Sequence, residues 1–573
     1  MRHQIQDLKT TSMRTASDAI HLTLYKLAGA SAIEHQNSEQ LGSSSLPHVP
    51  VFKLLTWRPQ PFAMVHSALL RTKAYLFWFP LGHLHLLAKN GPDVFRAIAK
   101  EYGPIFRFHM GRQPLVIVAN AELCKEVGIK KFKDIRNRST PPPTVGSLHQ
   151  DALFLTRDST WSAMRNTVVP LYQPARLAGL IPVMQSYVDA LVANIAGCPD
   201  QDCIPFCQLS LRMAIDIIGK TAFGVEFGLS KDSAGSGCGG GEVDDDIREF
   251  LKEYKRSMEF IKMDLSSSLS TILGLFLPCV QTPCRRLLRR VPGTADYKMD
   301  ENERRLCRRI DAIIAGRRRD RASRRRDGDG DGDGDAARSA PLDFIAALLD
   351  AMESGGGKEF ALEDRHVRAL AYEHLIAGTK TTAFTLSSVV YLVSCHPRVE
   401  EKLLRELDGS APPGGRAPNA EELQSRFPYL DQVIKEAMRF HLVSPLIARQ
   451  TSERVEIGGH VLPKGAYVWL APGVLARDAA QFPEPEEFRP ERFAAGAEEE
   501  RARHPYAHIP FGVGPRACIG HKFALQQVKL AVVGLYRRYV FRHSPAMESP
   551  IQFDFDLVLA FRHGVKLRAI RRE

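Results

Sequence analysis

Pro510-Phe511-Gly512-Val513-Gly514-Pro515-Arg516-Ala517-Cys518-Ile519-Gly520 is the stretch that decides how the 573-residue chain reads. It carries one thiol, a cation two positions before it, and glycines on both sides. Apolar positions at helical spacing follow at once, through Phe523, Ala524, Leu525 and Val528. A thiol just ahead of a helix start feels the positive end of the helix dipole, and neighbouring N–H groups can donate to its sulfur. Both effects favour the thiolate, the form that ligates a metal. Gly514 permits a tight turn, and Gly520 lets the backbone pack closely behind the sulfur. Arg516 can reach an anionic group on whatever the sulfur holds. Two plainer readings compete. A lone cysteine beside an apolar helix is usually a buried structural thiol. Gly512-x-Gly514-x-x-Ala517 also imitates a dinucleotide-binding loop, but Pro515 interrupts it and Arg537-Arg538 stand near where its ribose-binding acid belongs.

Taken together, Phe511, Gly514, Arg516, Cys518 and Gly520 resemble the cysteine loop of the cytochrome P450 superfamily, matching all five of its fixed positions. The resemblance implies a mainly α fold with small β-sheets, the cytochrome P450 haem-thiolate fold, built around haem b. It makes Cys518 the axial ligand of the haem iron, a thiolate that pushes electron density toward O–O cleavage. Phe511, Gly514 and Gly520 belong to the same cofactor-binding loop, and Arg516 is expected on a haem propionate. The implied co-reactants are O2 and NADPH-derived electrons, delivered by NADPH-cytochrome P450 reductase.

Composition sets the outer bounds. With 44% hydrophobic residues the chain can bury a large core, and no clean linker divides it. The net charge of +12 comes largely from one arginine-rich stretch and the tail Arg568, Arg571 and Arg572. No basic patch interleaved with aromatics accompanies them, so an acidic redox partner or membrane headgroups are expected rather than nucleic acid. The ten cysteines form no paired framework, which favours reduced thiols in a cytosol-facing protein.

Residues 1–78 are polar and weakly patterned, and are expected to be poorly ordered or to derive from an alternative or mispredicted first exon. The apolar piece Ala74 to Gly82 falls far short of the roughly 20 residues that span a bilayer. A haem-thiolate monooxygenase domain is expected over 79–573. Within it, Val94, Phe95, Ile98 and Ala99 make a helical stripe, and Ile105 to Phe108 with Leu115 to Val118 read as a strand pair around Gly111. Two inserts, about 233–246 and 317–340, read as disordered surface loops. The first is Gly/Ser-rich, and the second joins an arginine block to alternating Asp-Gly. Helical periodicity is strongest from Val367 to Val393, and Val455 to Leu470 reads as short hairpins.

Three constellations gain meaning from the resemblance. Glu436 and Arg439 share a helix face, which by itself describes an ordinary surface ion pair worth about 0–1 kcal/mol. In the superfamily such a pair locks with the Arg of a later loop, here Arg492, and holds the cysteine loop in place. Trp161 and Arg165, at i and i+4, would both sit on a propionate, with Arg449 as a further candidate. Ala377-Gly378-Thr379-Lys380-Thr381-Thr382 matches the oxygen-binding groove: Gly378 would leave room for O2, and Thr381 would steer protons to it. Lys380 departs from the pattern, which has an acid there, and Glu373 could replace that acid only through water.

A narrower resemblance rests on Gly91-Pro92-Asp93-Val94-Phe95, Gly103-Pro104-Ile105-Phe106-Arg107-Phe108, Tyr372-Glu373-His374-Leu375 and Thr382 through Val389. These stretches are similar to the plant carlactone oxidases of strigolactone biosynthesis, the more-axillary-growth family. That resemblance implies oxidation of a carlactone methyl group to alcohol, aldehyde and acid, or action on a downstream intermediate. The pocket would be walled by Ser139 to Phe154, by Ala377 and Thr381, and by Val443 to Leu446, with an apolar terpenoid-derived substrate. It also implies the cytosolic face of the endoplasmic reticulum membrane, although this chain shows no recognisable anchor. Three alternatives stay open: a monooxygenase of another terpenoid, an O2-independent haem-thiolate synthase, and a non-catalytic haem-binding protein.

Overall fold

The computed structural model describes residues 82–572, without 85, 88–90, 112, 140–146, 231–244, 261–267, 328–342, 354–361, 411–414 and 556–557. The segment 1–78, the Gly/Ser-rich insert and the Asp-Gly run therefore lie outside the described residues. What is described is mainly helical, with small sheets.

Asp364–Cys395 forms a single 32-residue helix. Leu370, Ala383, Phe384, Leu386 and Val390 are all buried on it, and they point in several directions around the axis. A helix that is apolar on most faces runs through a core rather than over it. Its start is closed by Glu363 and His366, whose Nδ1 accepts the Glu363 N–H at 3.1 Å. Phe206–Ile218 and His521–Tyr536 pack along it, and Ser210 Oγ meets Ser387 Oγ at 2.9 Å in that contact. The helix entered from Cys518 thus leans directly on this central helix.

Ile105–Met110 and Gln113–Val118 pair antiparallel as expected, with Arg107 opposite Val116. The sheet continues by a parallel pairing of Gln113–Val118 with Tyr467–Leu470, which in turn pairs antiparallel with Ile447–Gln450. Of the hairpins expected over Val455 to Leu470, only the first forms, between Val455–Ile457 and His460–Leu462. Tyr467–Leu470 leaves it to join the larger sheet, because its Val468, Trp469 and Leu470 are buried there. This placement puts Arg449 opposite Val468, inside the molecule.

The arginine block is not a loop. Ala295–Asp327 is one helix of 33 residues that carries the block through its last turns. The block lacks apolar periodicity, so its sequence looks solvated, but its partners are acids distant in the chain. Arg317 pairs with Asp343, Arg318 with Asp364, and Arg321 with Asp350 and Glu353. Arg368 on the central helix reaches back to Asp311 at 2.6 Å.

Candidate functional site

The cysteine run folds into a turn closed by its own backbone. The Cys518 N–H donates to Phe511 O at 2.8 Å, and the Ala517 N–H donates to Gly514 O at 2.8 Å. Gly514 is required: its φ is +71°, and a Cβ there would lie 1.9 Å from Gly128 O. Gly520 is less constrained than expected. Its φ is −85°, and a Cβ would meet only Tyr172 Cε1, at an ordinary 3.6 Å. The Cys518 thiol lies deep in the molecule yet keeps accessible surface, so that surface faces an internal opening. Burial pushes the thiol above its usual range, opposed by the Gly520 N–H, Arg138 and Arg165. Burial thus works against the thiolate in the empty loop, and a bound metal would favour deprotonation.

Around the thiol the fold collects cations. Arg165 donates from Nη2 to Ala517 O at 3.0 Å. Trp161 lies beneath two guanidiniums, with Arg516 Cζ 4.1 Å and Arg165 Cζ 5.9 Å from its ring centre. Arg516 donates to Arg136 O at 2.9 Å, Leu153 O at 3.2 Å and Thr156 O at 2.7 Å, and its burial lowers its pKa to about 9. Arg449 is fully buried, and its Nε and Nη2 have no partner. Burial, then Arg138 and Arg516, push its pKa far down. Arg138, missed in the sequence, completes the group. It lies 4.0 Å over Phe154, donates to Arg516 O at 3.2 Å, and is lowered to about 10 by burial. No local signal marks it; it arrives because Asn137 bridges to Gln450, next to Arg449.

Buried guanidiniums with unmade hydrogen bonds are costly unless an anion answers them. The residues therefore fit a metal-bearing group that presents its iron to Cys518 and carboxylates to Arg449 and Arg138. Among the described residues no three His, Cys, Asp or Glu side chains converge as a bare-ion site needs.

On the central helix, Glu373, Ala377 and Thr381 recur every four residues and share one face. Ala377 is exposed, between the buried Leu375 and Thr379. The Thr381 hydroxyl donates to Ala377 O at 2.6 Å. At Gly378 a Cβ would lie 2.5 Å from Ile218 Cδ1, so its bareness admits the neighbouring helix. Glu373 accepts the N–H groups of Leu153 and Phe154, both at 2.8 Å, and burial raises it to about 7. His374 meets the Tyr172 hydroxyl and stays neutral, burial lowering it to about 4.

The sequence profile of the cytochrome P450 family matches residues 74–564. The chain belongs to that family. It is 27% identical over 511 residues to thromboxane-A synthase of Sus scrofa, covering 86% of this chain and 90% of the relative. Lithocholate 6-beta-hydroxylase of Mesocricetus auratus is 28% identical over 481 residues, 83% of this chain and 86% of its own. Cytochrome P450 3A6 of Oryctolagus cuniculus is 28% identical over 484 residues, with the same shares. Membership makes the chain an oxidoreductase of the monooxygenase class and implies haem b. Among the described residues no helix is long and apolar enough to cross a membrane.

Behind the cysteine loop of this P450, the pair read as a possible surface ion pair is wholly buried. Arg439 donates from Nε and Nη2 to the two Glu436 oxygens, both at 2.7 Å, and Arg492 Nε reaches Glu436 Oε1 at 3.1 Å. The remaining donors take backbone carbonyls, among them Ala476, Pro485 and Pro483. His508 stands nearby against Phe493, its Nε2 buried without a partner and its pKa lowered to about 3 by burial, then by Arg503, Arg439 and Lys435. A histidine depressed below about 6.5 binds its proton in the unfolded chain first, so it removes stability as pH falls from there toward 3. His508→Phe should therefore flatten the acid side of a melting-temperature profile, by up to about 1.4 kcal/mol per pH unit below 6.5. Parallel profiles for the two proteins would refute this.

Proposed function

We propose that this chain is an O2- and reductase-dependent haem-thiolate monooxygenase that oxidises carlactone, methyl to carboxylic acid, or a downstream strigolactone intermediate. One observation carries the haem reading: Cys518, deep in the molecule yet with accessible surface, is ringed by arginines, one of which holds two buried nitrogens without partners. Cys518 would hold the iron. Arg449, Arg138 and Arg165 would hold the propionates, and Trp161 would stack under the cations. Arg516 has most of its donors on carbonyls, so it adds mainly positive field. The bound haem supplies O2 activation. The chain's own part is to close the site and place a proton: Thr381 Oγ1, held by Ala377 O, is the hydroxyl on the pocket face.

The substrate reading rests on the resemblance. Incubation with carlactone, reductase, NADPH and O2 in microsomes should yield an acid two oxidation levels above the first alcohol. Unchanged carlactone alongside oxidation of other terpenoids would defeat it. Thr381→Ala should leave NADPH consumption running while product per NADPH falls by on the order of a hundredfold, the lower end of what a positioned proton donor contributes.

A second reading, a rearranging synthase that uses no O2, is favoured by Lys380 in place of the expected acid and by a relative named thromboxane-A synthase. Turnover without NADPH distinguishes it. Reductase as partner, and the endoplasmic reticulum membrane as location, belong to the same proposal.

A further inference from the structure

Glu373 sits one turn before Ala377 and two before Thr381 on the pocket face of the central helix. Its two oxygens take two consecutive backbone N–H groups, Oε2 from Leu153 and Oε1 from Phe154. The carbonyls of the same turn point the other way, to the cysteine loop: Leu153 O and Thr156 O accept from Arg516, and Thr156 Oγ1 donates back to Leu153 O at 3.4 Å. Phe154, carried on this turn, is 41% exposed, an unusual state for a phenylalanine, and Arg138 covers its ring. The turn is thus gripped on its donors by the distal helix and on its acceptors by the proximal loop.

We propose that Glu373 is a positioning residue that fixes the Leu153–Phe154 wall of the substrate pocket, and so sets how large a ligand the pocket holds. This rests on the haem-thiolate reading. A carboxylate is needed because it offers two acceptors to two converging donors. A glutamine offers one, and turns an N–H against the other donor. Burial works against its charge; the two N–H groups, then Arg138 and Arg516, work for it, while Tyr172 and Cys518 are the other titratable groups beside it.

The test uses ferric haem-loaded enzyme and two nitrogen ligands of different size, imidazole and a biphenyl-substituted imidazole, titrated by difference spectroscopy. Glu373→Gln should weaken the bulky ligand by roughly tenfold, the effect of one lost charge-assisted hydrogen bond. Imidazole should stay within about twofold, because the iron site itself is untouched, and the carbon monoxide spectrum should keep its thiolate form. Glu373→Asp, which keeps the charge with a shorter reach, should show the same split in weaker form and serves if the glutamine variant fails to load haem. Equal weakening of both ligands, or of neither, overturns the proposal. So does loss of thiolate-ligated haem in both variants, which would give Glu373 to the fold rather than to the wall. A wild-type protein without the thiolate spectrum would instead sink the haem reading itself.

Discussion

Cys518→Ser should abolish the red-shifted Soret band of the thiolate-ligated ferrous carbon monoxide complex, and all turnover with it. The substitution is small and leaves the loop's own bonds in place, since the Cys518 N–H to Phe511 O contact belongs to the backbone. Fold and melting behaviour of the haem-free chain should therefore change little, which separates loss of ligand from loss of structure. Three other cysteines are engaged elsewhere. Cys124 is buried against Val118 O, Cys207 lies by Val565, and Cys395 meets His543. Because burial holds the free thiol protonated, haem uptake by the wild type should release a proton and weaken as pH drops. Survival of the band in Cys518→Ser would overturn the assignment of the ligand.

Glu436→Ala should cost more than any other single change away from the haem itself. Glu436, Arg439 and Arg492 have side chains with no exposure, so removing the acid leaves Arg439 without an acid in a dry interior and Arg492 with Glu499 alone, at 3.2 Å. Breaking a buried pair in this way costs about 3–5 kcal/mol, against a total stability of about 5–15 kcal/mol for a folded domain. The variant should accumulate poorly and lose haem even at low temperature. Glu401 gives the contrast. Its contact with Arg405 is 3.3 Å, but both side chains are about two-thirds exposed, so Glu401→Ala should change stability by well under about 1 kcal/mol. Near-equal denaturant midpoints for the two variants would show that the network does not bear on folding.

What could be read from the sequence divides by distance along the chain. The cysteine loop is local: eleven residues hold the turn, the cation and the ligand, and so the haem reading came from them alone. The strand pair around Gly111 was legible for the same reason. Burial was not. Glu436 and Arg439 look like any surface pair until the carbonyls of Ala476 and Pro485 arrive from a distant loop. Arg138 and the arginine block were missed because each takes its meaning from partners far away in sequence, Gln450 and Arg516 for one, Asp343 to Asp364 for the other. Gly378 was read for its bareness toward a ligand; that Ile218 packs against it is something only the packing of two helices reveals.

The arginine ring draws on positions 138, 165 and 449 to meet the cysteine at 518, a spread of 380 residues from 138 to 518. No partial chain owns such a site. During synthesis the cradle cannot exist until the last helix emerges, and the parallel pairing of Gln113–Val118 with Tyr467–Leu470 must close over the same span. Cofactor capture would then come last and act as a latch on the finished topology, since whatever binds only the folded form shifts the balance toward it. The fraction of this protein carrying haem would then report completed folding, and supply of the cofactor would bear on its lifetime as well as its activity.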